Sequence, residues 1–485
     1  MAYEHGVRVK ENPTSVPTPV SNGAGVPVIF GTSPVNLASD PAGAVNKLFL
    51  CNTFAEAKSA LGYSEDYESY TLCQAMDAFF KAFTVGPVVF CNVLDPNAHK
   101  ASLTEELTVV DGMATSETAG VIKDTLTVKI KDTDDPEAAW RAAVAGEDYN
   151  LSFNDDGFIT IAILTTGAKV QLTGYKLNPA GVTAANVIGA YDASTGKETG
   201  MELVRQVYPT FGLVPSLLLA PGWAQIPAVG LALQAKCKGI NGVSTCECVV
   251  DLDTTVVKKY TDAPAAKTDS GYLSEHTIVL WPMVKYAGKI IAYSALYAAM
   301  ATATDANNDN VPSLSPSNRA LRASATVLKD GTEVFLDSSQ ANELNAKGIV
   351  TAINANGFKA WGNNTAAYPD TTDPKDRWIA CRRFFSWWAN SFIITYLRKV
   401  DNPANYRLIE SIVDSENIRG NAMVSTGKCA GIRMEFRQDD NPTANILDGH
   451  IVFRQYLAPY TPAEDILNIL EFDPSMFEAA LFGGE

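Results

Sequence analysis

The sequence predicts an α/β (α+β) multi-domain protein: a discontinuous α/β core, an antiparallel β domain inserted into it, and extended N- and C-terminal arms. Three observations carry this. Strand-like apolar runs alternate with helical patterns over residues 23–94 and again over 202–450. Between 95 and 201 the texture changes to short segments of alternating apolar and polar residues broken by Asp/Gly turns, as in "DYNLSFNDDGFITIAIL". Residues 1–22 and 451–485 hold short apolar pieces with little around them to bury.

Taken in order, residues 1–22 carry Pro13, Pro17 and Pro19 and predict a stiff, extended arm. "VPVIFGTSP" reads as a buried strand, "FAEAKSALGYSEDYESYTLCQAMDAFFKAF" as helix, and "GPVVFCNVL" as a returning strand. After the β insertion and the loop "GAYDASTGKETG", "FGLVPSLLLAPG", "WAQIPAVGLALQAKCKG" and "CECVVDLD" predict strand, helix and strand. "IIAYSALYAAMATAT" is too short to span a membrane, and its small residues suit a buried helix.

Further on, Asp373 before Pro374 predicts a helix start, with a capping side chain and proline at the first helical position. Trp378, Cys381, Phe385, Trp388 and Phe392 then fall on one helical face as a core stripe. A second helix is expected from Asn402–Pro403 to Gly420, then strands in "CAGIRMEFRQ" and "HIVFRQYLAPY". The end, "DILNILEFDPSMFEAALFGGE", predicts a strand-like piece and a loose tail.

Composition narrows the function. The chain has 485 residues, 46% hydrophobic and 19% charged, which is enough to bury a sizeable core. Its formal charge of −16 repels phosphate backbones and anionic lipid, so no direct nucleic-acid contact is expected. Charge is uneven: residues 95–200 hold sixteen acids and eight bases, whereas 375–454 hold twelve bases and nine acids. That basic stretch predicts a surface for an acidic protein neighbour. The start has no apolar h-region and no stretch is long enough to insert in a membrane, so a soluble protein made in a cytoplasm is expected. The eight cysteines lie among apolar neighbours and read as reduced core thiols.

Signatures of catalysis fail on inspection. The four histidines are scattered, and Cys246 and Cys248 form C-x-C without a second pair, so no metal site is expected. "GAYDASTGKE" and "GNAMVSTGKC" imitate a phosphate loop, but six residues separate the glycines where four are needed. Glu198 and Cys429 stand where the magnesium-binding hydroxyl belongs. No G-x-S-x-G elbow occurs, and the Asp pairs sit in turn-like sequence. No catalytic, cofactor-binding or metal-binding residue is expected. Arg377, Arg382 and Arg383 have two readings: pairing with internal acids, or reaching from the aromatic helix towards a partner.

The segments "LAPGWAQIPAVGLALQAKC", "WPMVK", "VPSLSPSNRAL" and "LNAKGIVTAIN" carry a family likeness: with them the chain resembles phage tail sheath proteins. It is strongest in "WGNNTAAYPDTTDPKDRWIACRRFFSWWANSF" with the residues beyond it, and in "NPTANILDGHIVFRQYLAPYTPAEDILNILEFDP". It implies a non-enzymatic subunit of a contractile tail or contractile injection system such as a tailocin, self-assembling as a helical homo-oligomer of stacked rings. A tail tube protein and baseplate and terminator proteins are the implied partners, and the virion tail or a phage-tail-like particle, assembled in the bacterial host cytoplasm, the implied location. It also implies exchanged terminal strands, placed here at Val7 and Val9 and at Ile469, Leu470 and Phe472, and an inner-tube contact placed at Arg382 and Arg383. The alternatives are a non-polymerising hydrolase-like enzyme, whose nucleophile and base the sequence does not offer, and an adhesin or binding module, which would leave the arms without a role.

Overall fold

Residues that are apolar without alternation build the centre of the molecule, as expected where a strand is covered on both faces. In the computed structural model, which describes residues 23–483, eight strands form one sheet. The arm residues 1–22, with Val7 and Val9, lie outside the described residues. The strands are β1 (Val26–Gly31), β2 (Leu48–Cys51), β3 (Val88–Asn92), β4 (Pro215–Leu219), β5 (Glu247–Asp251), β6 (Thr277–Leu280), β7 (Ile349–Asn354) and β8 (Phe358–Trp361). Their order across the sheet is β2-β3-β1-β4-β5-β6-β7-β8. The six inner strands are parallel, and β2 and β8 run antiparallel at the edges. Every residue of β1, β3 and β5 is buried.

Helices α1 (Pro227–Lys236) and α2 (Tyr293–Ala306) are the expected ones. Ten residues of α2 are buried, four of them Ala, so its backbone sits close against its neighbours. The first expected helix is split. It runs over Phe54–Leu61, stops at Gly62, and restarts at Thr71–Met76 before continuing as a π-helical turn over Asp77–Ala82. Gly62 has φ +74°, and a Cβ there would lie 2.1 Å from the Pro34 carbonyl oxygen. Only glycine fits, and the helix ends on it.

Between Lys100 and Leu177 the alternating segments become two antiparallel sheets. One joins Lys100–Thr108, Lys169–Leu177, Thr127–Lys131 and Arg141–Ala142. The other joins Met113–Thr115, Ile159–Ile163 and Tyr149–Phe153. They enclose a core of their own, with Leu103, Val128, Ile130, Ile161, Val170 and Leu172, distinct from the cluster around the main sheet. Leu177, Val182, Val187 and Met201 already belong to the main core.

Beyond β8 come α3 (Ile379–Tyr396), α4 (Tyr406–Ser425) and a hairpin of β9 (Cys429–Glu435) and β10 (Arg454–Pro459). Asp373 caps a single turn at Pro374–Arg377, and the chain breaks at Trp378 before α3 begins. The second helix starts later than Asn402–Pro403, because Asn405 supplies the cap by accepting from the Leu408 amide. The tail differs as well. Residues 461–473 form no strand, and Pro474–Phe482 is a helix, α5, capped by Asp473.

Candidate functional site

In an open parallel sheet the usual place for a ligand is the crevice at the carboxyl ends of the strands, where the topology reverses. Such a crevice is present, with a volume of about 450 Å³, lined by residues that include Thr71, Gln74, Asp251, Asp253 and Lys289. Buried Asp251 accepts from the Ser294 amide at 2.9 Å and the Ser294 hydroxyl at 2.5 Å, tying β5 to the first turn of α2. Burial raises its carboxyl to about 6, against the pull of those bonds. Among the described residues no histidine or cysteine lines the crevice. Among the described residues no group of three or more His, Cys, Asp or Glu side chains could hold a metal ion. The two imitation phosphate loops resolve differently. One is a two-stranded ribbon, Tyr191–Asp192 with Lys197–Glu198. The other is the end of α4 running into Cys429, buried at the start of β9.

The tryptophan-rich stretch builds the joint between sheet and C-terminal unit. Of the expected stripe, Trp378, Cys381 and Trp388 are buried, while Phe385 and Phe392 are half-buried. Phe384 and Trp387 are buried too, because α3 is enclosed on more than one side. It meets the start of β5 on one side: Ser386 donates to Glu247 at 2.6 Å, and Asn390 exchanges two hydrogen bonds with the Thr245 backbone. Trp387 donates its indole N–H to the Gly23 carbonyl.

This geometry corrects the expectation for the arginine pair. Arg383 is 3% exposed and forks onto Asp305 of α2, with Nη1···Oδ1 at 3.3 Å and Nη2 on Oδ2. Arg382 turns back to Asp376 at 3.0 Å and is largely covered. Neither reaches outward towards a tube. The basic side of α3 faces acids of its own chain because those acids lie on the elements that enclose it.

On the other side of α3 lie α4 and the hairpin. The Arg419 guanidinium stacks 3.7 Å from the Trp388 ring centre and bonds the Ser391 hydroxyl, and burial lowers its pKa. Fully buried Glu416 accepts from Gln455 of β10 at 2.9 Å. Asn417 treats Met434 of β9 as a strand neighbour, accepting from its N–H at 2.8 Å and donating to its carbonyl at 3.2 Å. Three residues on, a Cβ at Gly420 would lie 2.9 Å from Ile432 Cβ and 3.0 Å from its carbonyl oxygen, so helix and strand meet there without a side chain between them. Nothing in the sequence marked Glu416, Asn417 or Arg419, which read as ordinary polar positions of an amphipathic helix.

The tail leaves this unit in a fixed direction. Glu464 pairs with Arg377 at 3.1 Å and touches Asn363. Beyond it the apolar side chains face solvent: Ile469 is 72% exposed, Leu470 87% and Phe472 79%. Met476, Phe477, Leu481 and Phe482 of α5 are exposed as well. Single exposed apolar residues are unremarkable, but a contiguous run marks a surface meant to be covered.

No family model matches the chain. The tail sheath protein of Burkholderia phage BcepMu is 26% identical over 474 residues, which cover 94% of each chain. The major tail sheath protein of Serratia phage KSP20 is 28% identical over 305 residues, 61% of this chain and 72% of that one. The tail sheath protein of Escherichia phage P2 is 24% identical over 59% of this chain and 69% of its own. Among solved structures, a chain of the sheath complex of an extracellular contractile injection system in its contracted state aligns over 98% of this chain and 99% of that one, with a TM-score of 0.58 and 14% identity. A chain of the anti-feeding prophage baseplate aligns over 98% and 100%, with a TM-score of 0.55 and 16% identity. The sequence relatives are sheath subunits, and the structural neighbours share the fold.

Proposed function

We propose that this chain, similar along nearly all its length to tail sheath proteins, is a structural subunit of a contractile sheath. Subunits polymerise as a helical sleeve of stacked rings around an inner tube, and contraction drives that tube through a target envelope. They are linked by exchanged strands, one from residues 466–472 and one from the segment holding Val7 and Val9. A tail tube protein, baseplate proteins and a terminator are the partners, and assembly takes place in the host cytoplasm. No catalytic step is assigned.

One observation carries this reading: the apolar-rich run 466–472 lies in solvent on its own subunit, next to Glu464 paired with Arg377. Unpaired backbone at a sheet edge is a template for such a strand. Each added hydrogen bond contributes about 0.5–1.5 kcal/mol net, so four or five per arm make a firm link. Contacts of this head-to-tail kind do not close on themselves and generate helical filaments. Electron microscopy of the purified protein tests the reading, with tubes expected from the full chain. Removal of residues 1–20 or 465–485 should leave folded subunits that form no stable tubes. A full chain that stays monomeric at high concentration, or truncated chains that form normal contractile particles, would overturn it.

A further inference from the structure

We propose, independently of the sleeve reading, that Cys237 and Cys246 are a redox modification site. A small organic disulfide such as oxidised glutathione converts the pair into a bond that locks the loop between α1 and β5. Cys237 ends α1, Cys246 precedes β5, and residues 238–245 turn between them. The ends of this loop already meet, because the Cys246 amide donates to the Cys237 carbonyl at 3.0 Å. Such a contact puts two Cα atoms roughly 5–6 Å apart, the separation a disulfide requires. The side chains converge as well, since the Cys237 thiol interacts with those of Cys246 and Cys248. Cys246 is the partner because Cys248 lies two residues, roughly 6.6 Å, further along β5. There its backbone pairs with β4 and β6, and its sulfur meets the Thr277 hydroxyl at 3.4 Å.

All eight cysteines are free in the structure, and burial explains why this pair stays so. Cys237 is 0% exposed and Cys246 1%, and burial raises both thiols. The contact with Cys237 pulls the Cys246 thiol back down, so Cys246 ionises first. A thiolate, not a thiol, attacks a disulfide. The Cys246 thiolate attacks one sulfur of the organic disulfide and expels the first small thiolate. The Cys237 thiolate then attacks the Cys246 sulfur of the mixed disulfide and expels the second. Two protein thiols are oxidised, the organic disulfide is reduced to two small thiols, and these take up the two protons. Access comes through the loop, where Lys238, Gly239, Asn241, Gly242 and Val243 are exposed, because an exposed loop opens locally without unfolding the sheet. Thr245 of this loop gives both backbone groups to Asn390 of α3. Joining the loop's ends therefore fixes the joint between the main sheet and the C-terminal unit.

The test uses the folded full chain, incubated with oxidised glutathione, then unfolded, alkylated and mapped by mass spectrometry. Two of the eight thiols should escape alkylation, with Cys237 and Cys246 joined, and dithiothreitol should restore all eight. Hydrogen exchange at the Thr245 and Cys246 amides should be at least about tenfold slower in the oxidised protein. Eight thiols still free, a glutathione adduct left standing on Cys246, or a bond from Cys237 to Cys248 would overturn the pairing. The expected bond with unchanged exchange at Thr245 would overturn the lock. The sleeve reading stands in each case, because tube formation is read separately.

Discussion

Replacing Arg383 by methionine removes the cation from a pair whose side chains are 3% and 2% exposed. Methionine fills much of the volume, so the main effect is electrostatic: Asp305 remains in the core uncompensated, with Glu247 adding repulsion. Breaking one partner of such a pair costs about 3–5 kcal/mol. Removing both charges is different, because an apolar pair of similar volume commonly equals or exceeds the ion pair it replaces. Arg383→Met should therefore lower stability by about 3–5 kcal/mol, and Arg383→Met with Asp305→Leu should recover most of that loss. Denaturant unfolding followed by tryptophan fluorescence reads this directly, since Trp387 and Trp388 lie on the same helix. A single variant no less stable than the double would refute the argument that a buried charge pair fixes α3 to α2.

Asp251 gives a pH signature: its folded carboxyl lies at about 6, above the ordinary 3.8. A raised acid binds its proton more tightly folded than unfolded, so ionisation costs about 3 kcal/mol above pH 6, and that loss is recovered as pH falls from about 6 to 4. Asp251→Asn lacks this term, so the stability of wild type relative to the variant should rise by about 3 kcal/mol as pH falls through that window, and a constant difference from pH 4 to 7.5 would refute the assignment. Gly420→Val should push α4 off Ile432 and lower stability by about 1–3 kcal/mol, measured by thermal unfolding. Deleting residues 97–199 with a short linker should leave a soluble protein that still forms tubes, because the strands between Lys100 and Leu177 bury a separate core. Complete loss of soluble protein would count against that independence.

What the sequence disclosed follows what local pattern can encode. The strands now labelled β1, β3, β4 and β5 were legible because a strand buried on both faces is an unbroken apolar run. The helix at Pro374 was legible through its cap, though not the break at Trp378. The direction of Arg383 was not, because its partner lies 78 residues earlier on another element and no local spacing reports that. Periodicity also assumes one solvent-facing side, and α3 has little of one, so a single-face stripe omits the buried Phe384 and Trp387. The contact of α4 with β9 depends on Asn417 meeting Met434, 17 residues on, a register that composition cannot express. In the tail the sequence displays the apolar residues but not the helix over Pro474–Phe482, since a short apolar run suits strand and helix alike.

The position of β1 has a consequence for synthesis. It lies between β3 and β4, pairing Val28 with Val89 on one side and with Leu218 on the other. The first partner follows within 61 residues (89 − 28), whereas the second is 190 away (218 − 28). At roughly 5–20 residues per second, the 129 residues between those partners keep a ribosome occupied for roughly 6–26 s. Over that time the nascent chain carries half a sheet, with the apolar edge of β1 open to any strand it meets, including one from a neighbouring nascent copy. The strands between Lys100 and Leu177, which enclose a core of their own, emerge in the same interval. A chain with this strand order has to keep the edge of β1 from foreign strands until its own later partner has been made.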